Sequence, residues 1–289
     1  GYSSCHWCHV MAHESFEDEE LSEMMNQTFV SIKVDKEERP DVDKVYMEIA
    51  RAITGSGGWP LSIVMTPDKR PFYAATYIPK ESRDNQMGMK DLTRRIDDLW
   101  SNERDKVIKT SDKIISMLRE KEVRSNGKID KGTLDDGYDI FKRSFDKKYY
   151  GFGRAPKFPS PHNLLFLLRY WERTGEHKAL DMVEKTLEAM RLGGIYDHIG
   201  FGFHRYSTDR RWMLPHFEKM LYDQAMLILA YSEAYRSTDK QKYKKTAEET
   251  IEYVLRDLKS DSGGFYSSQD ADVGGIEGGY YIWSEEEID

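Results

Sequence analysis

A chain of 289 residues, 39% hydrophobic and 33% charged, is long enough for two domains and reads as soluble and globular. No apolar run approaches a membrane span, no secretory leader is visible, and a net charge of −8 argues against a nucleic-acid groove. Two cysteines in so long a chain are no disulfide scaffold; they suit a reducing, cytoplasmic compartment and a single redox or metal pair.

Those cysteines, Cys5 and Cys8, open the chain as C-x-x-C. Two intervening residues let both sulfurs fall on one turn at a helix start, where a disulfide can close and the helix dipole favours a thiolate. Thiol–disulfide exchange needs an attacking cysteine and a resolving one. Proximity to the helix N-terminal amides assigns attack to Cys5 and resolution to Cys8. Other readings fit the same residues. Cys5 to His9 matches C-x-x-C-H, the c-type haem attachment motif. Cys5, Cys8, His9 and His13 form a possible set of four zinc ligands. Both cysteines also fit plain buried thiols.

Val10, Met11 and Phe16 predict a helix that ends near the acidic residues 17–20, and Leu21, Met24 and Met25 a second short one. Alternation over residues 29–34 predicts a half-buried strand. Pro40 opens a helix carrying Val42, Val45, Tyr46, Ile49 and Ile53. Residues 55–60 are a sharp break. Residues 61–65 and 71–77 read as two strands of a hairpin about a turn at 67–70, and 90–121 as one long helical stretch. C-x-x-C helix, strand, helix, Trp-Pro, hairpin, helix is the order of the thioredoxin fold after its active-site strand. In that fold a cis-proline precedes the strand beside the disulfide, and its backbone pairs with extended substrate. Pro60 stands in that place, so a cis Trp59–Pro60 bond close to the sulfurs is expected.

The run from Ser3 to Glu17, with Cys5-His6-Trp7-Cys8 at its centre, and Gly57-Gly-Trp-Pro-Leu61 resemble the spermatogenesis-associated, thioredoxin-domain-containing proteins. The resemblance implies a thioredoxin-like site at Cys5 and Cys8, with Trp7, Trp59 and Pro60 contacting substrate. His6 and His9 would then sit beside the sulfurs, where a protonated imidazole lowers a thiol pKa. A complete thioredoxin domain carries a strand, a helix and a central strand before the C-x-x-C, and here Cys5 is the fifth residue. The expectation is an α/β thioredoxin-like domain, residues 1–122, with its N-terminal strands missing.

Residues 123–132 are polar and read as a linker. Helical stretches follow at 134–145, 162–174, 177–192, 217–237 and 240–258, joined by glycine-aromatic loops at 149–153, 193–196 and 263–266. Helix pairs joined this way look like an all-α partial α/α toroid over residues 133–289. The resemblance implies kinship with the six-hairpin glycosidase and N-acylglucosamine 2-epimerase toroids. The helices are too few to close a toroid, and Ser284 to Glu287 reads as a capping box opening one more, so truncation at both ends is expected.

Residues 197–224 gather Asp197, His198, His204, Arg205, His216, Glu218, Lys219, Asp223 and Gln224 among aromatics. Glu218 and Tyr222, like Lys219 and Asp223, are four apart and predicted on one helix face. Aromatic faces with paired carboxylates suit a sugar pocket. The expectation is that Asp197, His198, His204, Arg205, His216, Glu218 and Asp223 converge on one cavity with Tyr206 and Trp212. Asp270, beside Asp272 and Glu277, adds acids from a neighbouring loop; it lacks the later glutamate of an EF-hand. No metal set and no cofactor is assigned. The expected partner is a protein thiol or disulfide or a small sugar-like substrate, with no nucleic acid and no membrane. Two further functions fit the same residues: a carbohydrate-active epimerase or glycosidase, and a non-catalytic binding protein whose C-x-x-C is structural or holds zinc.

Overall fold

A computed structural model describes residues 1–83, 86–121 and 130–288. The chain forms two compact units, Gly1–Asn126 and Gly127–Asp289. The expected linker, 123–132, falls mostly outside the described residues.

In the first unit, Cys5 caps helix α1 (His6–Met11), which continues as a π-helical turn, Ala12–Phe16. Asp18 ends that run and caps α2 (Glu19–Thr28): its carboxylate accepts the Leu21 amide at 2.9 Å, and Glu19 and Glu20 complement the helix N-terminus. Helix α3 (Pro40–Thr54) starts on a proline, whose missing N–H costs nothing there, and stops at Gly55 with φ 80°. Strands β1 (Ser62–Met65) and β2 (Pro71–Ala75) form an antiparallel hairpin with an irregularity between Val64 and Met65. Helices α4 (Met89–Asn102) and α5 (Arg104–Lys121) complete the unit. Its core is Met11, Leu21, Ile78, Met89, Leu92 and Ile96, with Val64, Phe72 and Tyr73 packed against it.

Two expectations fail here. Residues 29–34 form no strand, and Val30 and Ile32 are 93% and 78% exposed. Alternation marks a segment that fits a sheet, but a strand exists only with a ladder partner. Phe29 N–H donates to the Met25 carbonyl (2.7 Å) at the end of α2, the Gly1 ammonium donates to the Val34 carbonyl (3.2 Å), and just beyond the stretch Lys36 N–H donates to the Gly1 carbonyl (2.8 Å). The stretch 90–121 is two helices, because Glu103 leaves helical conformation at φ −131°, ψ 34°. Helical spacing persists in the sequence on both sides and hides that break.

The second unit is built from α6 (Lys131–Ser144), α7 (Pro161–Thr174), α8 (His177–Leu192), α9 (Leu221–Thr238) and α10 (Gln241–Tyr253), the last continuing as a π-helical turn, Val254–Leu258. Two-residue connections at Gly175–Glu176 and Asp239–Lys240 fold α7 back on α8 and α9 back on α10. Their facing sides bury Leu164, Leu167, Leu168, Met182, Val183, Leu187, Leu227, Ala230 and Ala234. Ser284 closes on Glu287 (2.7 and 2.9 Å) at a four-residue helix, α11 (Glu285–Ile288).

A third expectation fails between α8 and α9. The helix expected from residue 217 starts at Leu221. Before it the chain is extended in short antiparallel pairs. Strand β3 (Tyr206–Ser207) pairs with β4 (Pro215–His216), and β5 (Lys219–Met220) with β6 (Ser268–Gln269). Strands β7 (Asp272–Val273) and β8 (Ile276–Glu277) close a further turn. Glu218 and Lys219 therefore lie off the helix and do not share one of its faces with Tyr222 and Asp223. The backbone of 219–220 is claimed by residues 268–269, and Leu221 N–H by the Ser267 carbonyl at 2.9 Å.

Candidate functional site

At the C-x-x-C turn, the Cys5 carbonyl accepts the amides of Cys8 (2.9 Å) and His9 (3.1 Å), and Cys5 N–H donates to the Tyr2 carbonyl at 3.3 Å. This fold of the backbone brings the two Cα atoms to 5.2 Å, and the sulfurs are joined as a disulfide. The Cys8 amide also donates to Cys5 Sγ at 3.3 Å. Cys5 is 3% exposed and Cys8 is half-buried. His9 Nε2 lies 2.5 Å from the Ser3 carbonyl and His13 Nδ1 2.6 Å from Glu17 Oε2. The four zinc-ligand candidates are thus engaged separately, and no group of three or more such side chains stands together as a metal site among the described residues.

Aromatic side chains flank this turn. Trp7 is 46% exposed, with its ring 5.1 Å from that of Tyr77 and 5.4 Å from His6. The Tyr77 hydroxyl donates to Glu14 at 2.5 Å, and burial, then that carboxylate, push it up to about 12. Trp59 Nε1 donates to Asp43 at 2.8 Å, and the Trp59 ring meets Tyr2 edge-on at 5.8 Å. The Lys36 ammonium lies over both rings, at 4.0 Å from Tyr2 and 4.2 Å from Trp59. The Trp59–Pro60 peptide is cis, as expected, and so is Ala155–Pro156.

In the second unit the polar residues of 197–224 are engaged in several hydrogen-bonded groups. Asp197 Oδ1 accepts the amides of Ile199 (2.9 Å) and Gly200 (2.8 Å), and its Oδ2 takes the Lys219 ammonium at 2.8 Å. Burial raises the Asp197 carboxyl, but Lys219 and the two amides outweigh it and hold the group below the usual range. Lys219 also donates to the Phe201 carbonyl and lies over the Tyr253 ring at 4.5 Å. His198 is exposed and turns to Arg191 (3.2 Å) and the Gly193 carbonyl (3.1 Å). His204 is buried, its Nδ1 2.9 Å from the Phe217 carbonyl and its ring edge-on to Tyr281 at 4.8 Å. Burial, then Lys219, push it down to about 3, so it stays neutral.

A third group is the densest. Arg205 Nη1 donates to Glu218 Oε2 at 2.7 Å, and His216 Nε2 stands 3.8 Å from the same oxygen. His216 Nδ1 lies 2.5 Å from Glu277 Oε1. The Tyr206 ring stacks on His216 at 4.9 Å and 19°, and Phe158 covers Tyr206 at 4.9 Å. Tyr222, half exposed on the first turn of α9, hydrogen-bonds with Arg205, and Asp223 follows it. Trp212 is elsewhere: its Nε1 donates to the Tyr149 carbonyl at 3.1 Å and its ring faces Lys157. Asp270 is exposed and accepts the Asp272 amide at 3.0 Å in its own turn. Glu277, expected from the neighbouring loop, stands 61 positions from His216 and Phe158 stands 58, separations at which no local pattern reports which side chain each meets. A groove of about 450 Å³ between α6, α7 and α9 is lined by other residues, among them His162, Phe166, Arg169 and Tyr170.

No helix among the described residues is long and apolar enough to cross a membrane. Residues 1–119 match the family described as "Thioredox_DsbH: Protein of unknown function, DUF255". Over 100% of its length the chain is 42% identical to spermatogenesis-associated protein 20 of Homo sapiens and 41% identical to that of Mus musculus. It spans 38% of the length of each. Two solved structures are similar at low identity. Cellobiose 2-epimerase from Bacillus thermoamylovorans B4167 matches at 13% identity and a TM-score of 0.43, covering 48% of this chain and 40% of that one. An unsaturated glucuronyl hydrolase specific for heparin matches at 12% identity and a TM-score of 0.41, covering 80% and 70%.

Proposed function

The chain belongs to the family of spermatogenesis-associated, thioredoxin-domain-containing proteins, and on that premise we propose that Cys5 and Cys8 exchange between disulfide and dithiol with protein thiols. The observation that carries this reading is the pair itself: the two cysteines of the chain meet at a helix start, with a backbone amide aimed at one sulfur. A thiolate at Cys5 keeps that N–H donor, which favours the charged form. The exposed Trp7 ring offers a contact for an extended protein partner. In a reducing, cytoplasmic compartment such a pair cycles rather than persists. The thioredoxin-like domain is residues 1–122, and residues 133–289 are a partial α/α toroid.

The test is equilibration with glutathione redox buffers followed by alkylation. Reversible interconversion, with one thiol titrating below the ordinary value, supports exchange. Equal, slow labelling with both thiols near ~8.5 argues against it.

Tyr206 stacked on His216, with Phe158 tilted against Tyr206 and with Arg205, Glu218 and Glu277 in the same group, favours a second role: binding a small sugar-like ligand at the toroid mouth. Flat rings beside fixed charges suit a polyhydroxylated ring. Calorimetry against a sugar panel tests it. Binding lost in Tyr206→Ala and kept in Cys5→Ser supports a site independent of the thiols; no binding to any sugar removes this reading.

A further inference from the structure

We infer that residues 270–282, a strap carrying β7 and β8, open and close over the Arg205–Glu218–His216 group and so control access to it. This rests on the sugar-binding reading above and deepens it. The first observation is burial. Glu218 is 0% exposed, His216 5% and His204 3%. A ligand held by these groups cannot reach them while the chain around them stays in place. Part of that cover is the strap. Its Glu277 carboxylate meets His216 Nδ1 at 2.5 Å. The Tyr281 ring stacks on Phe217 at 5.5 Å and 10°, stands edge-on to His204 at 4.8 Å, and takes the Lys219 ammonium at 5.1 Å. Gly278 lies so close to Phe217 that a Cβ there would stand 2.5 Å from the ring. The strap thus touches residues on both sides of Glu218.

The second observation is a device that the second unit uses twice and then changes. Asp146 Oδ1 accepts the amides of Lys148 and Tyr149, its carbonyl accepts Tyr150 N–H at 2.8 Å, and its own N–H donates to the Gly151 carbonyl at 2.9 Å. Asp197 repeats each bond, with Ile199 and Gly200, with Phe201 at 3.0 Å and with Gly202 at 3.0 Å. The second carboxylate oxygen of each takes a buried lysine at 2.8 Å, Lys157 for Asp146 and Lys219 for Asp197. Each lysine lies over an aromatic ring, Trp212 or Tyr253, and Gly151 or Gly202 packs on that same ring. Each lysine is also paired along the backbone with the next loop, Lys157 with Ser207 and Lys219 with Gln269. Opening either loop would strand a buried charge, so both are locked. The third loop has the same backbone plan: Lys259 bridges to Phe265 as Phe145 does to Phe152 and Tyr196 to Phe203. Ser260 stands where the aspartates stand, and its Oγ accepts the Ser262 amide at 3.2 Å. A hydroxyl carries no charge to hold an ammonium, so the loop that leads into the strap cannot form this lock. Of the chain around Glu218, the strap is the part built to move.

The experiment is hydrogen exchange on the full chain without ligand, read on short peptides by mass spectrometry. Amides of 270–282 are expected to open at least about tenfold more readily than those of 146–152 and 197–203. Glu277→Gln weakens the tie to His216, and Gly278→Ala presses a methyl group on Phe217. Each should raise exchange in 270–282 and leave the two locked loops unchanged. In both variants diethyl pyrocarbonate should modify His216 at least about tenfold faster than in the parent, because the opened fraction rises. Equal protection in all three regions of the parent, or variants that loosen the locked loops as much as the strap, overturn the inference. A second arm adds glucose, mannose or N-acetylglucosamine. A sugar that binds should slow exchange in 270–282; one that binds and leaves that exchange unchanged overturns the strap. A strap that opens in a chain that binds none of these sugars removes the sugar reading and leaves the strap standing.

Discussion

Asp146 Oδ2 lies 2.8 Å from the Lys157 ammonium, and neither side chain reaches solvent. Arg210 completes the cluster with Nε at 2.7 Å from the same oxygen and Nη2 at 2.8 Å from Oδ1, which also accepts the amides of Lys148 and Tyr149. Lys157 in turn donates to the Arg210 carbonyl at 3.1 Å. Burial raises the Asp146 carboxyl, but these donors outweigh it and hold the group well below the usual carboxylate range. One buried acid thus ties the loop after α6 to the loop before β4.

Asp146→Ala leaves a buried ammonium without its counter-charge. Removing one partner of a buried pair costs about 3–5 kcal/mol. The urea midpoint of the second unit should fall accordingly. A change of less than about 1 kcal/mol would mean that Lys157 finds water or another acceptor at no cost.

His204 gives an acid-sensitive contribution. Its folded pKa, about 3, lies below the ordinary value of 6.5. The unfolded chain therefore binds a proton that the folded chain refuses. The contribution is present above about 6.5 and is lost as pH falls towards 3. Stability measured by denaturant should decline through that window, and His204→Gln should flatten the decline. An unchanged slope in the variant would assign the acid sensitivity to other groups.

Gly193 is held by packing rather than by its dihedral angles, which are extended at φ −85°, ψ 170°. A Cβ there would stand 2.4 Å from the Trp212 carbonyl oxygen, and one at Gly194 2.1 Å from that of Met213. Backbone cannot swing aside as a side-chain tip can. Gly193→Ala should destabilise by about 1–3 kcal/mol, the range for overpacking a close contact. A thermal midpoint equal to the parent's would show that the 212–213 loop moves freely.

Trp7 is exposed beside the disulfide, so its removal should leave stability within about 0.5 kcal/mol. Reduction of a protein disulfide such as insulin by the reduced chain should slow in Trp7→Ala. An undiminished rate would remove Trp7 from the partner surface.

Much of the fold was legible in the chain because its determinants are local. Helices α3, α7 and α8 follow apolar spacing, with Pro40 and Pro161 at their starts and Gly55 and Gly175 just past the ends of α3 and α7. The hairpin of β1 and β2 follows two β-rich runs about a short turn. The C-x-x-C spacing allows a disulfide at a helix start, though zinc and haem fit the same letters. What depends on distant partners was not legible. Residues 29–34 alternate like a strand, yet no ladder forms along them among the described residues. Glu218 and Lys219 have helical spacing to Tyr222 and Asp223, yet residues 268–269 hold residues 219–220 extended. The expected cluster of 197–224 has the right residue types, but tertiary packing sorts them: Lys219 to Asp197, Arg205 to Glu218, His216 to Glu277. Spacing along a helix fixes the direction of a side chain, while its burial and partners depend on what the rest of the chain lays over it.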